Sequence, residues 1–504
     1  MKRWLWLALV IALFLALRLP QVIRNEFPFV FDFGRDLIWV RNMVELKRPT
    51  LIGPWGSLAG VYFGPLWYYL LAVPYILTGG DPRGSVYLSL TANLAVLILG
   101  YLWLKKFSLK ASLIFALLVA TSPHLISIST FAHHANLLPL TQLGFVYGLY
   151  RRDSLGLYLA ALMASLNFHF EPATAIFTTL TLIIFLIWQR QKLNFKSVVI
   201  SLAIFIIPFL PNVIFDLRHD FLQTRAVMAY FQGENRSLEG VLPFPERIFE
   251  RLRKFTEAFS VSTLPNLPLP VTGFILVILI SALWRLKKSP SESNLIYLNY
   301  LILLISLLGF MFLFPPELKS WYLYGFSVNY LILVSFFLSL LYRYHRWLAL
   351  SILIILVLSH TKLWQQPVDF SNEATLKNQL FAIDTAYRQT AGQPFNFYIY
   401  TPPIYDYAYQ YLIWWRGRQV YGYLPTEYSY LPERIDYHPH KSDFTQPIKP
   451  GPPEKIFLLI EPEVHLGRVK DWLTNFAHYP LLADQALPGS LTLQTRQFIP
   501  SALE

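Results

Sequence analysis

The chain has 504 residues, of which 55% are hydrophobic, 16% aromatic and only 14% charged, against roughly 25% charged in soluble globular domains. That composition excludes a soluble protein. A formal net charge of +12 would point to nucleic acid in a soluble chain, but Lys and Arg cluster between apolar runs, which marks topology and excludes a nucleic-acid partner. With no cysteine in the chain, disulfides, thiolate metal sites and a cysteine nucleophile are excluded too.

The N-terminal stretch MKRWLWLALVIALFLALRLP has the basic start and apolar run of a signal peptide but no small-residue cleavage site, and is expected to be an uncleaved first helix. Apolar segments follow near 62–78, 85–104, 110–128, 135–150, 155–169, 172–188, 197–215, 271–285, 294–314, 322–341 and 346–361, each near the length that spans a bilayer. If all of them crossed with Lys2 and Arg3 inside, the clusters Lys105-Lys106, Arg151-Arg152, Arg190 with Lys192, Arg285 with Lys287-Lys288, and Arg343 with Arg346 would lie outside, against the positive-inside rule. Taking 62–78, which holds Pro65 and Pro74, as an outer helix that dips without crossing returns every cluster to the cytoplasm.

The expected fold class is therefore an all-α polytopic membrane domain over 1–361, with about eleven transmembrane helices plus amphipathic juxtamembrane helices, and an extracytoplasmic α/β domain over 362–504. The outer loops are expected at about 20–84 and 216–270. Within the tail, FNFYIYT and KIFLLIE read as buried strands, and YDYAYQYLIWW and VKDWLTNF as helices. Its aromatic residues Tyr405, Tyr407, Tyr409, Tyr411, Trp414 and Trp415 are expected to pack the domain and dock it on the membrane, with stacking on sugar rings as the alternative.

In the first outer loop, NEFPFVFDFGRDLIWVRNMVELKRPTLIGP places Asp32 and Asp36 four residues apart, on one face if the segment is helical. Arg35 lies between them, and Leu37, Trp39, Val40 and Val44 form an apolar stripe suited to the membrane interface. A carboxylate held just above a bilayer suits removal of a proton from an acceptor hydroxyl that attacks a lipid-linked sugar, while the phosphate leaving group needs cations. The structural alternative is that both acids cap the helix or pair with Arg35 and Arg41.

Farther along, His133, His134 and Asn136, then His169 and Glu171, fall at outer helix ends, where imidazole and carboxylate are also plausible ligands of a divalent cation. Arg218 and Arg225 follow a spanning segment, and Lys319 with Tyr322 opens a late one. These cations are candidates for a carrier phosphate, with a solvated loop and a snorkelling lysine as the ordinary alternatives.

The order of an acid in the first outer loop, an amphipathic helix and a proline-bearing aromatic helix, in FDFGRDLIWVRNMVELKRPTLIGP and VYFGPLWYYLLAVPY, resembles the GT-C superfamily of membrane glycosyltransferases. The nearest branch is that of protein O-mannosyltransferases and the lipid A aminoarabinose transferase. The resemblance is carried mainly by residues 1–170. It implies Asp32 as catalytic base with Asp36 as a rival, Lys319 at the carrier phosphate, a polyprenyl-phosphate sugar as donor, and a lipid, glycan or protein acceptor. The sequence departs from the family at Gly64-Pro65, where Lys-Pro-Pro is usual, and at His133, His134 and Asn136, where a second acid is usual. Competing expectations are a surface-polysaccharide polymerase or ligase using polyprenyl-diphosphate glycans, and a transporter, which would place ionisable residues midway through its helices.

Overall fold

The computed structural model describes residues 2–56, 58–189, 194–232, 242–365, 375–432 and 440–499; Arg190 and Lys192 fall outside them. The chain forms two compact units. One comprises Met1–Leu19, Thr50–Leu70 and Tyr87–Gln365, and the other Pro20–Pro49, Leu71–Val86 and Gln366–Glu504.

The first unit is built of helices. Among the described residues, five are long and apolar enough to cross a membrane: Trp4–Ile23, Pro82–Leu104, Phe195–Arg218, Pro290–Leu313 and Phe326–Tyr344. A sixth span exists if Leu109–Thr121 and Pro123–Ser129, bent by 60°, count as one. The protein is thus a multi-pass membrane protein, but the eleven crossings expected from sequence are corrected to five or six. Ser154–Phe170, Pro172–Trp188, Leu269–Arg285 and Arg346–Thr361 are shorter apolar helices, and Leu138–Arg151 has 14 residues. At 1.5 Å per residue, 17 residues reach about 26 Å, short of a hydrocarbon core of about 30 Å. Leu66–Thr78, with Pro74 inside it, is only 13 residues long.

Prolines set where these helices stop. Ser122, ahead of Pro123, has ψ 121°, and Glu171, ahead of Pro172, has φ −162° and ψ 94°, as expected where a proline ring forces the preceding residue out of the helical region. Pro123 also has no N–H to offer the Val119 carbonyl, four residues back. Arg18 fills that gap: it donates from Nη2 to Val119 O at 3.1 Å and from Nη1 to Ala120 O at 2.7 Å. Its Nε donates to Ser129 Oγ at 2.7 Å, and its guanidinium lies 3.7 Å from the Phe14 ring centroid. One buried cation therefore ties the first helix to both halves of the bent pair.

A buried amide chain joins three further helices. Gln142 Nε2 donates to Asn329 Oδ1 at 2.8 Å, Asn329 Nδ2 to Asn299 Oδ1 at 2.9 Å, and Asn299 Nδ2 to the Leu295 carbonyl at 2.8 Å. Such bonds satisfy polar groups that would be costly to bury alone, and they fix the register of helices whose apolar surfaces are interchangeable.

The second unit centres on a five-stranded mixed sheet. Its strands are β1 (Phe395–Tyr400), β2 (Glu427–Ser429), β3 (Lys455–Ile460), β4 (Leu481–Leu487) and β5 (Leu491–Gln497), in the order β2-β1-β3-β5-β4. The β1 strand is parallel to β2 and β3, while β5 is antiparallel to β3 and β4. Every β1 residue is buried, as its continuous apolar run implies for a central strand. The expected strands and helices are found here, the latter as Tyr407–Arg416 and Leu466–Thr474.

Segments from the first loop complete this unit. The stretch before Phe31 runs along the start of the Leu376–Thr390 helix: Leu376 N donates to Phe27 O and Lys377 N to Asn25 O, each at 3.0 Å, and Gln379 Nε2 donates to Phe29 O at 3.0 Å. The turn after Leu66–Thr78 uses two left-handed glycines, Gly79 (φ 64°) and Gly80 (φ 81°), which a side chain would disfavour. Trp415 Nε1 donates to Gly79 O at 3.2 Å and Tyr411 Oη to Gly80 O at 2.5 Å.

Beyond β3, Glu461 Oε1 accepts from Tyr409 Oη at 2.9 Å. Burial pushes its carboxyl up to about 7, so the fold favours the protonated form. Its stabilising contribution is then fully present below the unfolded value near 4.5 and is lost as pH rises through 7. Glu461→Gln, a permanent mimic of the protonated acid, is expected to gain on the native protein by ~3 kcal/mol between pH 5 and pH 8. Thermal unfolding of both forms across that range checks this, and parallel pH profiles would refute it. Arg18→Met leaves two buried carbonyls unserved and is expected to cost about 2–5 kcal/mol. A Tm equal to the native one in the same detergent would contradict that reading.

Candidate functional site

In the second unit, the expected first-loop helix runs Phe31–Glu45. It is not the interfacial amphipathic helix expected from its stripe, since ten of its 15 residues are buried, Arg35, Asp36, Arg41 and Asn42 among them. The cause is a close approach that the stripe could not show. A Cβ on Gly34 would lie 2.4 Å from the Ala408 Cα, so the Phe31–Glu45 and Tyr407–Arg416 helices meet backbone to backbone. Arg41 reinforces the contact: its guanidinium stands 3.8 Å from the Phe444 ring centroid and 4.8 Å from that of Trp414, and burial pushes it down to about 10.

This packing gives the two acids different surroundings. Arg35 is shared between them, with Nη1 2.6 Å from Asp32 Oδ1 and Nη2 2.7 Å from Asp36 Oδ1, to which Nε also donates at 2.9 Å. The Asp36 side chain is 3% exposed and that of Asp32 is 42% exposed. Asp36 is therefore a buried anchor for the guanidinium. Asp32, in the first helical turn where backbone N–H groups favour an anion, is a carboxylate fixed in position yet open to a reactant. Two carboxylates and one guanidinium leave this cluster with a formal charge of −1.

In the first unit, most of the other predicted residues gather around the Phe170–Pro172 turn. His133 and His134 lie with ring centroids 3.9 Å apart and planes tilted by 35°, and His134 Nδ1 bonds the Phe170 carbonyl. Phe63 packs edge-on to His134 at 4.9 Å, and His133 lies 6.4 Å from Trp321. His169 Nδ1 accepts from Leu66 N at 3.3 Å. A Cβ on Gly64 would fall 1.9 Å from that same nitrogen, which accounts for glycine at the position where the resemblance led one to expect lysine.

Glu171 follows, buried, with Oε1 accepting from Ala173 N at 3.4 Å and Oε2 lacking a partner among the described residues. Asn136 donates to the Phe131 carbonyl at 2.6 Å. Tyr322 is brought in through its backbone carbonyl, which accepts from Thr174 Oγ1. Lys319 sits 3.3 Å from Glu317. Arg218 and Arg225 are exposed on the Leu210–Arg218 and Leu222–Gln232 helices. Asp216, two residues before Arg218, is structural: it accepts from Gln223 N at 2.7 Å and from Thr224 Oγ1. Among the described residues, no three His, Asp or Glu side chains converge as ligands for a metal ion, so the divalent cation considered from sequence finds no donor set there.

Sequence reasoning missed the aromatic neighbours of Phe31, the residue before Asp32. Tyr409, Tyr411, Trp414 and Trp415 are buried, and so pack the domain as expected, but Tyr405 is 44% exposed. Tyr405 and Tyr407 both lie against Phe31, with centroids 6.0 and 5.1 Å away. A separation of more than 370 residues hides that neighbourhood from any local pattern.

No family model and no curated protein matches the sequence. Among solved structures, ArnT from Cupriavidus metallidurans bound to undecaprenyl phosphate aligns over 97% of this chain and 97% of its own, with a TM-score of 0.56 and 11% identity. Over 97% of its length, this chain shares the overall fold of that ArnT structure.

Proposed function

We propose that the protein is a membrane glycosyltransferase that moves a sugar from a polyprenyl-phosphate donor to a lipid, glycan or protein acceptor of the cell envelope, with Asp32 as catalytic base. The observation that carries this reading is the half-exposed Asp32 carboxylate held by Arg35 at 2.6 Å. The fold shared with a protein bound to undecaprenyl phosphate supports the donor class, because a polyprenyl phosphate is what remains when a polyprenyl-phosphate sugar gives up its sugar.

In the proposed step, the acceptor oxygen bonds to the anomeric carbon and its proton passes to Asp32. The bond from that carbon to the phosphate oxygen breaks, and the electron pair departs with the phosphate. A cation is needed to receive that charge; Lys319, Arg218 and Arg225 are the proposed candidates. Asp36 holds Arg35 in place and takes no proton.

We further propose that the N-terminus lies in the cytoplasm, on the strength of Lys2 and Arg3 preceding the first span, and that with an odd number of crossings, five, the C-terminal domain lies outside the plasma or inner membrane. The chain has no cysteine, so a single one placed at Val464, which is 91% exposed, reports directly. Val464→Cys is expected to react with a membrane-impermeant maleimide in intact cells. Reaction only after lysis would reverse the orientation.

For the chemistry, reconstituted protein is given a panel of polyprenyl-phosphate sugars with envelope lipids and glycans. Asp32→Asn is expected to lower kcat by about 10²–10⁴-fold with an unchanged Tm. Asp36→Asn, which strips Arg35 of its buried partner, is expected to lower Tm and to reduce kcat less. Transfer at the native rate by Asp32→Asn would sink the assignment.

A further inference from the structure

The proposed reaction needs an acceptor held beside Asp32, and the second unit carries a feature suited to that task. In the strand order β2-β1-β3, the chain leaves β1 towards β2 and then returns past it to β3. The carboxyl ends of β1 and β3 thus flank a topological switch point, the place where open α/β sheets bind ligands.

The loop that leaves β1 there is Thr401–Asp406. Its residue Ile404 has φ 71°, a conformation rare for a β-branched side chain and of the kind concentrated at functional sites. Two prolines precede it, and Ile404 N closes the turn onto Thr401 O at 2.9 Å. The consequence is that Tyr405 is held outward, 44% exposed, and stacked on the buried Tyr407 with centroids 6.0 Å apart and planes 14° off parallel. Phe31 closes the aromatic group edge-on to Tyr407 at 69°. The next residue after Phe31 is Asp32. Within one unit, a part-exposed tyrosine thereby packs on the residue that precedes a half-exposed carboxylate.

Flat aromatic rings pack on the C–H face of a pyranose, and a carboxylate accepts from its hydroxyls. Building on the proposed function, we propose that the Thr401–Asp406 loop and Phe31 form the acceptor subsite, in which a hexopyranose ring rests on Tyr405 with one hydroxyl directed to Asp32. The acceptor is then a glycan or glycolipid rather than a bare protein side chain. Asp32 supplies the chemistry and Tyr405 selects what is presented to it.

Saturation-transfer NMR on the full-length protein in nanodiscs tests this without relying on turnover. The probes are the methyl glycosides of glucose, galactose, mannose and N-acetylglucosamine, with sorbitol as a ringless control. At least one glycoside is expected to show saturation of its ring C–H protons, falling at least about fivefold in Tyr405→Ala, in line with the loss of one aromatic contact. The signal is expected to persist in Tyr405→Phe, which keeps the ring, and in Asp32→Asn. Absence of saturation with every glycoside, or an undiminished signal in Tyr405→Ala, overturns the subsite. If Tyr405-dependent binding persists while Asp32→Asn transfers sugar at the native rate, the base assignment falls and the subsite stands. If Asp32→Asn abolishes transfer while no Tyr405-dependent binding appears, the subsite alone falls.

Discussion

Gly34 has no side chain, and the second unit has no room for one. The backbone of Ala408 stands where its Cβ would be, and that approach lets the Phe31–Glu45 helix bury ten residues. Everything that distinguishes the two acids follows from it. Asp36 turns inward with Arg35, Asp32 stays at the margin, and the guanidinium between them gains two carboxylates. A bulkier residue at position 34 would force the helices apart and unseat Arg35 along with them, because packed interiors do not absorb an extra methyl group without displacement.

The first unit relies on a related economy of backbone groups. Helices within a bilayer must satisfy their own N–H and C=O groups, yet proline breaks that accounting wherever it occurs. At Ser122-Pro123 the freed carbonyls are recovered by Arg18. At Glu171-Pro172 the Phe170 carbonyl is taken by His134. Both breaks replace a regular ladder with a long polar side chain from elsewhere, converting a local defect into a contact between elements distant in sequence.

The legible parts of this chain were those whose cause is local. FNFYIY and KIFLLI announce buried strands by apolar runs that only Asn396 and the leading Lys455 interrupt, and they form the parallel core of the sheet. The membrane class was equally plain from composition. The number of crossings was not: the segments at 135–150, 155–169, 172–188, 271–285 and 346–361 form helices where expected, but as short apolar helices that fall below the length of a full span. Asp32 was legible as a candidate from its place after an apolar first segment. Its advantage over Asp36 was not, since the difference in their exposure arises from packing across the second unit, and period-based reasoning assigned them one face. Gly64, where the resemblance leads one to expect lysine, has no room for a Cβ beside His169, a constraint that only the folded chain displays.

The interleaving of first-loop segments with the C-terminal domain has a consequence in time. Gly34 and Ala408 are separated by 374 residues of chain, which at 5–20 residues per second takes about 20–75 s to synthesise. Throughout that interval the Phe31–Glu45 helix exists without the surface that buries it, and Asn25–Phe29 without the helix whose N–H groups they receive. The segment bearing Asp32 is made long before the segment that finishes it. A nascent chain that has not yet reached residue 408 therefore carries the acid but not the scaffold that orients it.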